Sequence, residues 1–224
     1  KTLDKATGIS CMLGPVGVGK STLIKKLVTD CNNQNSGLLF KALDTNDVTI
    51  AYELSTSDQP HTKTIYLLDH ADGVSDDFLE ALFTIIADRN VKKNPVSLIL
   101  IGSSLIESQL KSPRFDSYKS LLTGSFILER LDQCAVNDYI LHRLHLAAYA
   151  GETLFDDSAI QAITKLSKGI PRVINTLCGN SLFQASLHQQ RVITEETVNN
   201  AAEFCFLEKD IPEVEASAET PTAT

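Results

Sequence analysis

Apolar positions along the chain follow two rhythms. Up to residue 128, five short apolar runs of strand length, at 9–13, 37–43, 64–68, 96–101 and 125–128, are separated by stretches with helical spacing. Leu23, Ile24 and Leu27 share one face of a helix after the first run, and Phe78, Leu82, Ile85 and Ile86 share one face after the third. Buried strands alternating with helices predict an α/β core: a five-stranded parallel sheet with helices on both faces. From Asp132 onward only helical spacing recurs, at Ile140, Leu144, Ala147 and Ala148, at Ile160, Ile163 and Leu166, and at Val173, Ile174, Leu177 and Cys178. A last helix is announced by Thr194 as N-cap with Glu195 and Glu196 in its first turn. The expected organisation is a core over 1–130, a small all-helical lid over 131–207, and a linker over 208–224.

Charge sharpens the last boundary. The net charge is −8, and half of that excess sits in the tail, where Glu208, Asp210, Glu213, Glu215 and Glu219 face only Lys209. Rich also in Ala, Ser, Thr and Pro, the tail reads as an acidic disordered linker. The rest of the chain is acidic too, so no broad basic footprint for nucleic acid is present and strong binding to it is not expected. No apolar run approaches the roughly 18 residues of a membrane span, so membrane contact is expected only through a segment outside this chain. Beginning at Lys1 without methionine, the sequence reads as a piece of a longer protein. Five scattered cysteines without a C-x-x-C pair fit reduced core thiols of a cytosolic domain. His142 and His145, three apart on a helix, lack a third ligand in the pattern and read as ordinary helix residues.

The chemistry is concentrated just after the first run. Gly14, Pro15, Val16, Gly17, Val18, Gly19, Lys20, Ser21 and Thr22 form G-x-x-x-x-G-K-[ST], the phosphate-cradling P-loop, set between a strand and a helix. Backbone N–H groups of such a loop and the positive end of the following helix receive phosphates. Lys20 adds a point charge, and the Ser21 hydroxyl is suited to Mg2+. ATP with Mg2+ is therefore the expected ligand pair. A P-loop needs a second acid at the end of a neighbouring strand, and Asp69 follows Ile65, Tyr66, Leu67 and Leu68 in that place. Asp69 is thus read as the Walker B acid and, with Ser21, as a metal-holding residue. Where related ATPases place a glutamate beside that acid, this chain has His70, a weaker base near neutrality, and Asp72 is a nearby substitute.

Taken in order, the P-loop, Leu67 to Ala71, Leu100 to Leu105, Tyr139 and Ile140 with Arg143 and Leu144, and the run from Leu166 to Cys178 resemble the AAA+ ATPases of the ExeA/GspA type. The resemblance covers about residues 8 to 206 and is most specific in Gly169 to Cys178. Similar modules occur in secretion helpers, in DamX-like division proteins and, more distantly, in transposition helper ATPases. The resemblance implies that Arg172 is the sensor 2 arginine contacting the γ-phosphate and that Ser103 stands at the sensor 1 place. Gly169 ends one helix and Pro171 suits the first turn of the next, which fixes Arg172 at a helix start.

Two departures bear on activity. Besides His70, the arginine that the family places before the fifth strand is replaced by Leu121, with Arg114 and Arg130 as the nearest arginines. Losing both a water-orienting glutamate and a finger arginine implies slow or absent hydrolysis with nucleotide binding retained. The resemblance implies a cytoplasmic ATP-binding module, in one version the cytoplasmic part of a membrane-anchored envelope or division protein, acting through protein partners or self-association. A DNA-associated transposition helper and a nucleotide-independent pseudo-ATPase scaffold stay open as alternatives.

Overall fold

The computed structural model describes residues 8–33, 38–43, 63–91 and 96–204. The predicted linker over 208–224, Cys205 and the first residue of the predicted second strand, Gly37, lie outside them. The elements in chain order are β1 (Gly8–Leu13), α1 (Lys20–Asn33), β2 (Leu38–Leu43), β3 (Lys63–Leu68), α2 (Asp76–Val91), β4 (Ser97–Gly102), α3 (Leu105–Leu110), β5 (Leu122–Ile127), α4 (Gln133–Leu146), α5 (Asp157–Ser167), α6 (Pro171–Leu187) and α7 (Glu195–Glu203). Two 3-10 segments, Ala71–Gly73 and Pro113–Leu121, complete the elements among the described residues.

The five strands form one parallel sheet in the order β2-β3-β4-β1-β5. Its central strands are apolar on both faces because helices cover both faces. On β3, Tyr66 and Leu68 point into a cluster with Leu79, Leu82, Phe83 and Ile86 of α2, whereas Ile65 and Leu67 point the other way, toward Ile24 of α1. The period of two thus divides a single strand between two cores. Each fully buried leucine or isoleucine here contributes about 1.5–3 kcal/mol relative to exposure.

β5 departs from expectation. Its hydrophobic signal begins at Ser125, yet the strand starts at Leu122 and pairs with β1 from Ile9 onward. Thr123, Gly124 and Ser125 carry no apolar pattern because this is an edge strand, and even Phe126 and Ile127 are 58% and 68% exposed. The register is held instead by polar contacts: the Thr123 hydroxyl donates to the Ile9 carbonyl at 3.1 Å and lies 2.8 Å from the Ser10 hydroxyl. The preceding 3-10 segment is anchored on α2, where Phe83 meets the rings of Phe115 and Tyr118 at 5.5 and 5.6 Å.

The chain divides into two units, one of residues 1–136 with Lys168–Arg172, the other of 137–167 with 173–224. Helix α6 therefore starts in the first unit and continues in the second. Within the second, α5 packs against α7, and a parallel bridge joins Phe155 to Ile193. Asp156 caps α5, accepting the Ala159 N–H at 2.8 Å and the Ser158 hydroxyl at 2.6 Å. Thr194 is the N-cap residue of α7, but its hydroxyl makes no capping bond; the Glu195 N–H donates to the Ser158 hydroxyl instead. Burial pushes the thiols of Cys11 and Cys178 up to about 11 and about 12, which disfavours the thiolate at both. Cys134, expected in the core, is exposed near the start of α4.

Candidate phosphate-binding site

The loop from Gly14 to Gly19 leaves the C-terminal end of β1 and enters α1 at Lys20. Each glycine answers a different demand. At Gly14 a Cβ would stand 2.6 Å from the Leu128 carbonyl oxygen, and at Gly17 one would stand 2.9 Å from the Arg172 Cβ. Gly17 and Gly19 have φ of 81° and 107°, a region open to glycine. A Cβ on Gly19 would meet nothing within 4 Å. Two glycines thus admit close neighbours, and the third combines a glycine-only backbone with open space. Such a loop can present its N–H groups to a phosphate unobstructed.

Lys20 lies across this loop, its Nζ donating to the carbonyls of Gly14 at 2.6 Å and Pro15 at 2.9 Å. Partial burial lowers its pKa, opposed by the carboxylates of Asp72 and Asp69, while Arg172 adds to the lowering. Ser21 and Thr22 follow in the first turn of α1, where the N-terminal N–H groups point toward the loop. A lysine charge, open helix-end donors and a glycine cradle fit a polyphosphate, and the acids beside Lys20 fit a divalent cation.

Asp69 follows directly on β3. Its Oδ1 accepts the His70 backbone N–H at 2.9 Å. His70 adopts the left-handed conformation, φ 55° and ψ 37°, and its Nε2 stays 3.9 Å from Asp69 Oδ2 with the ring 82% exposed. Ser103 lies just beyond β4, where its Oγ accepts the Leu105 N–H at 3.3 Å. The Arg172 N–H donates to the Gly17 carbonyl at 3.2 Å, and the Leu131 N–H donates to the Gly169 carbonyl at 2.9 Å, so the segment holding Arg172 is stitched to the loop by backbone.

Leu121 is partly buried and packs against the core. Arg114 is engaged by α2, its Nε donating to Glu80 at 2.8 Å and its Nη2 to Asp77. One link escaped the sequence reading altogether. Asp72, read from the sequence as a substitute for the missing glutamate, accepts the Ser103 N–H at 2.7 Å. Both residues were visible in the sequence, but their pairing across 31 positions was not.

No family model matches the chain. In sequence it is 26% identical over 140 residues to General secretion pathway protein A of Aeromonas hydrophila, covering 62% of this chain and a quarter of that protein. Similar solved structures include the RuvB Holliday junction branch migration motor of Thermotoga maritima, with a TM-score of 0.63 and 17% identity over 90% of this chain and 63% of that one. Cdc6p from Pyrobaculum aerophilum matches with a TM-score of 0.63 and 13% identity, covering 87% of this chain and 60% of that one. The Aeropyrum pernix ORC2 protein, in its ADP form, matches at 0.60 and 12% identity, covering 88% and 63%. The chain spans a quarter of the curated relative's length and less than two thirds of these solved chains. By fold the chain has the AAA+-like P-loop α/β architecture of these solved chains, and in sequence it is similar to General secretion pathway protein A.

Proposed function

We propose that this module binds ATP with Mg2+, that nucleotide state sets the position of its helical part and its contacts with protein partners, and that it hydrolyses ATP weakly. The observation that carries this reading is the glycine cradle of Gly14, Gly17 and Gly19 with Lys20 lying across it. The loop N–H groups from Val16 to Thr22 and the Lys20 ammonium hold the phosphates. Ser21 and Asp69 hold Mg2+, whose charge offsets that of the phosphates when bound. Ser103 and Arg172 read the terminal phosphate. Arg172 suits that task because its backbone is tied to Gly17 while α6 continues into the second unit. In domain terms the reading is a core over 1–130, a lid over 131–207 and a linker over 208–224.

Weak hydrolysis follows from the same residues. His70 directs its ring to solvent from a left-handed backbone, and Leu121 supplies no charge. A secretion setting is supported by the name of the relative, General secretion pathway protein A of a bacterium; an envelope or division role with this module on the cytoplasmic side is part of the proposal. A DNA role draws support from the RuvB likeness, but at 17% identity that likeness concerns fold, and the net charge of −8 opposes duplex binding. Limited proteolysis with no nucleotide, with ADP and with ATP tests the reading. Cleavage between residues 128 and 172 that depends on nucleotide state supports it; an identical pattern in all three, with nucleotide bound, contradicts control of the helical part.

A further inference from the structure

Beyond β3 lies an acid that the phosphate site leaves without a role. Asp72 sits in the 3-10 turn Ala71–Gly73, and its Oδ1 accepts the Ser103 backbone N–H at 2.7 Å. The approach depends on residue 102 having no side chain, since a Cβ there would stand 1.6 Å from Asp72 Oδ1. Ser103 then offers its Oγ to the Leu105 N–H, so one lone pair is occupied while the hydroxyl proton remains to donate. Asp72 therefore ties the end of β3, where Asp69 stands, to the end of β4, where Ser103 stands.

We propose that Asp72 is a positioning residue that fixes Ser103 through its backbone N–H, so that the Ser103 hydroxyl meets the terminal phosphate, and that Gly102 exists to admit the carboxylate. The role rests on the ATP-site reading above. It acts through hydrogen-bond geometry rather than through charge, which separates it from the use of Asp72 as a base.

Three variants distinguish the possibilities. Asp72→Ala removes the acceptor, Asp72→Asn keeps an acceptor and drops the charge, and Gly102→Ala displaces the carboxylate without altering it. ATP and ADP affinities are read by competition against a fluorescent nucleotide with Mg2+, and hydrogen exchange at the Ser103 amide is read without nucleotide. Asp72→Ala and Gly102→Ala should speed that exchange and lower the ATP-to-ADP affinity ratio about tenfold, the weight of one hydrogen bond to a charged group, with Asp72→Asn staying within about threefold of the parent. An Asp72→Ala protein with the parent's exchange and ratio overturns the role, and an Asp72→Asn protein that behaves like Asp72→Ala assigns the effect to charge and overturns it as well. A parent that binds ATP and ADP equally removes the discrimination Asp72 is said to serve. A parent that binds neither nucleotide overturns the ATP-site reading itself, a result distinct from all of these.

Discussion

Gly17 and Arg172 meet backbone to backbone: the Arg172 N–H donates to the Gly17 carbonyl at 3.2 Å, and a Cβ on Gly17 would stand 2.9 Å from the Arg172 Cβ. The middle of the phosphate loop is thereby joined to the first turn of α6. The remaining residues of that helix belong to the second unit. Gly17→Ala should break this link twice over, by φ of 81° and by the clash. The expected loss is about 2 kcal/mol or more in unfolding free energy, from left-handed strain plus overpacking. Gly73→Ala, where a Cβ would meet nothing within 4 Å, should change stability by less than about 0.5 kcal/mol. Urea unfolding of the two variants checks the contrast, and equal losses would contradict it.

His70→Glu should raise phosphate release less than about tenfold, because a positioned carboxylate answers only one of the two missing catalytic elements. Glutamate also inherits a left-handed backbone that histidine tolerates better. Combined with Leu121→Arg, turnover should exceed the product of the single effects, at some cost in stability because Leu121 is partly buried. Steady-state phosphate release across a range of protein concentrations measures this. Parent turnover near the ordinary enzyme value of about 10 per second would contradict the account.

The helical unit should carry an acid-sensitive cap. The Ser158 hydroxyl and the Ala159 N–H hold the Asp156 carboxyl below its ordinary pKa of 3.8. A depressed folded pKa gives stability that is complete above the unfolded pKa and is lost as pH falls through the folded one. Asp156→Ala should therefore cost about 1 kcal/mol at pH 7. The difference from the parent should shrink progressively below pH of about 4. Thermal melts at neutral and acid pH check both the cost and its disappearance.

Binding to random duplex DNA at physiological salt should be weaker than about 100 µM, since nonspecific affinity comes from neutralising phosphates with Lys and Arg and the chain is acidic. Fluorescence anisotropy with and without ATP measures it. ATP-dependent, salt-sensitive binding in the micromolar range would favour the DNA reading over the secretion one.

What could be read in the sequence depended on whether the signal was local. β3 and β4 were legible because burial on both faces leaves apolar residues with few polar interruptions, and the strand–loop–helix around Gly14 to Gly19 because its glycines answer backbone demands at fixed spacing. Arg172 at a helix start was legible from Gly169 and Pro171 beside it. The first half of β5 was not, because an exposed edge strand held by Thr123 and Ser10 has no hydrophobic signature. Nor was the pairing of Asp72 with Ser103, since Gly102 announces an absent side chain without saying which distant carboxylate fills the space.

The central claim is that Gly14 to Thr22 with Asp69 form a working ATP site, and thermal shift tests it most directly. A ligand that binds only the native state at a hundredfold excess over its dissociation constant adds about 2.7 kcal/mol of stability. For a chain of this size that amounts to a rise of several degrees in melting temperature, about 5–10 °C. The account predicts such a rise for the parent in millimolar ATP with Mg2+, and little or none for Lys20→Ala. An unchanged melting temperature in the parent, or an equal rise in both proteins, would contradict it.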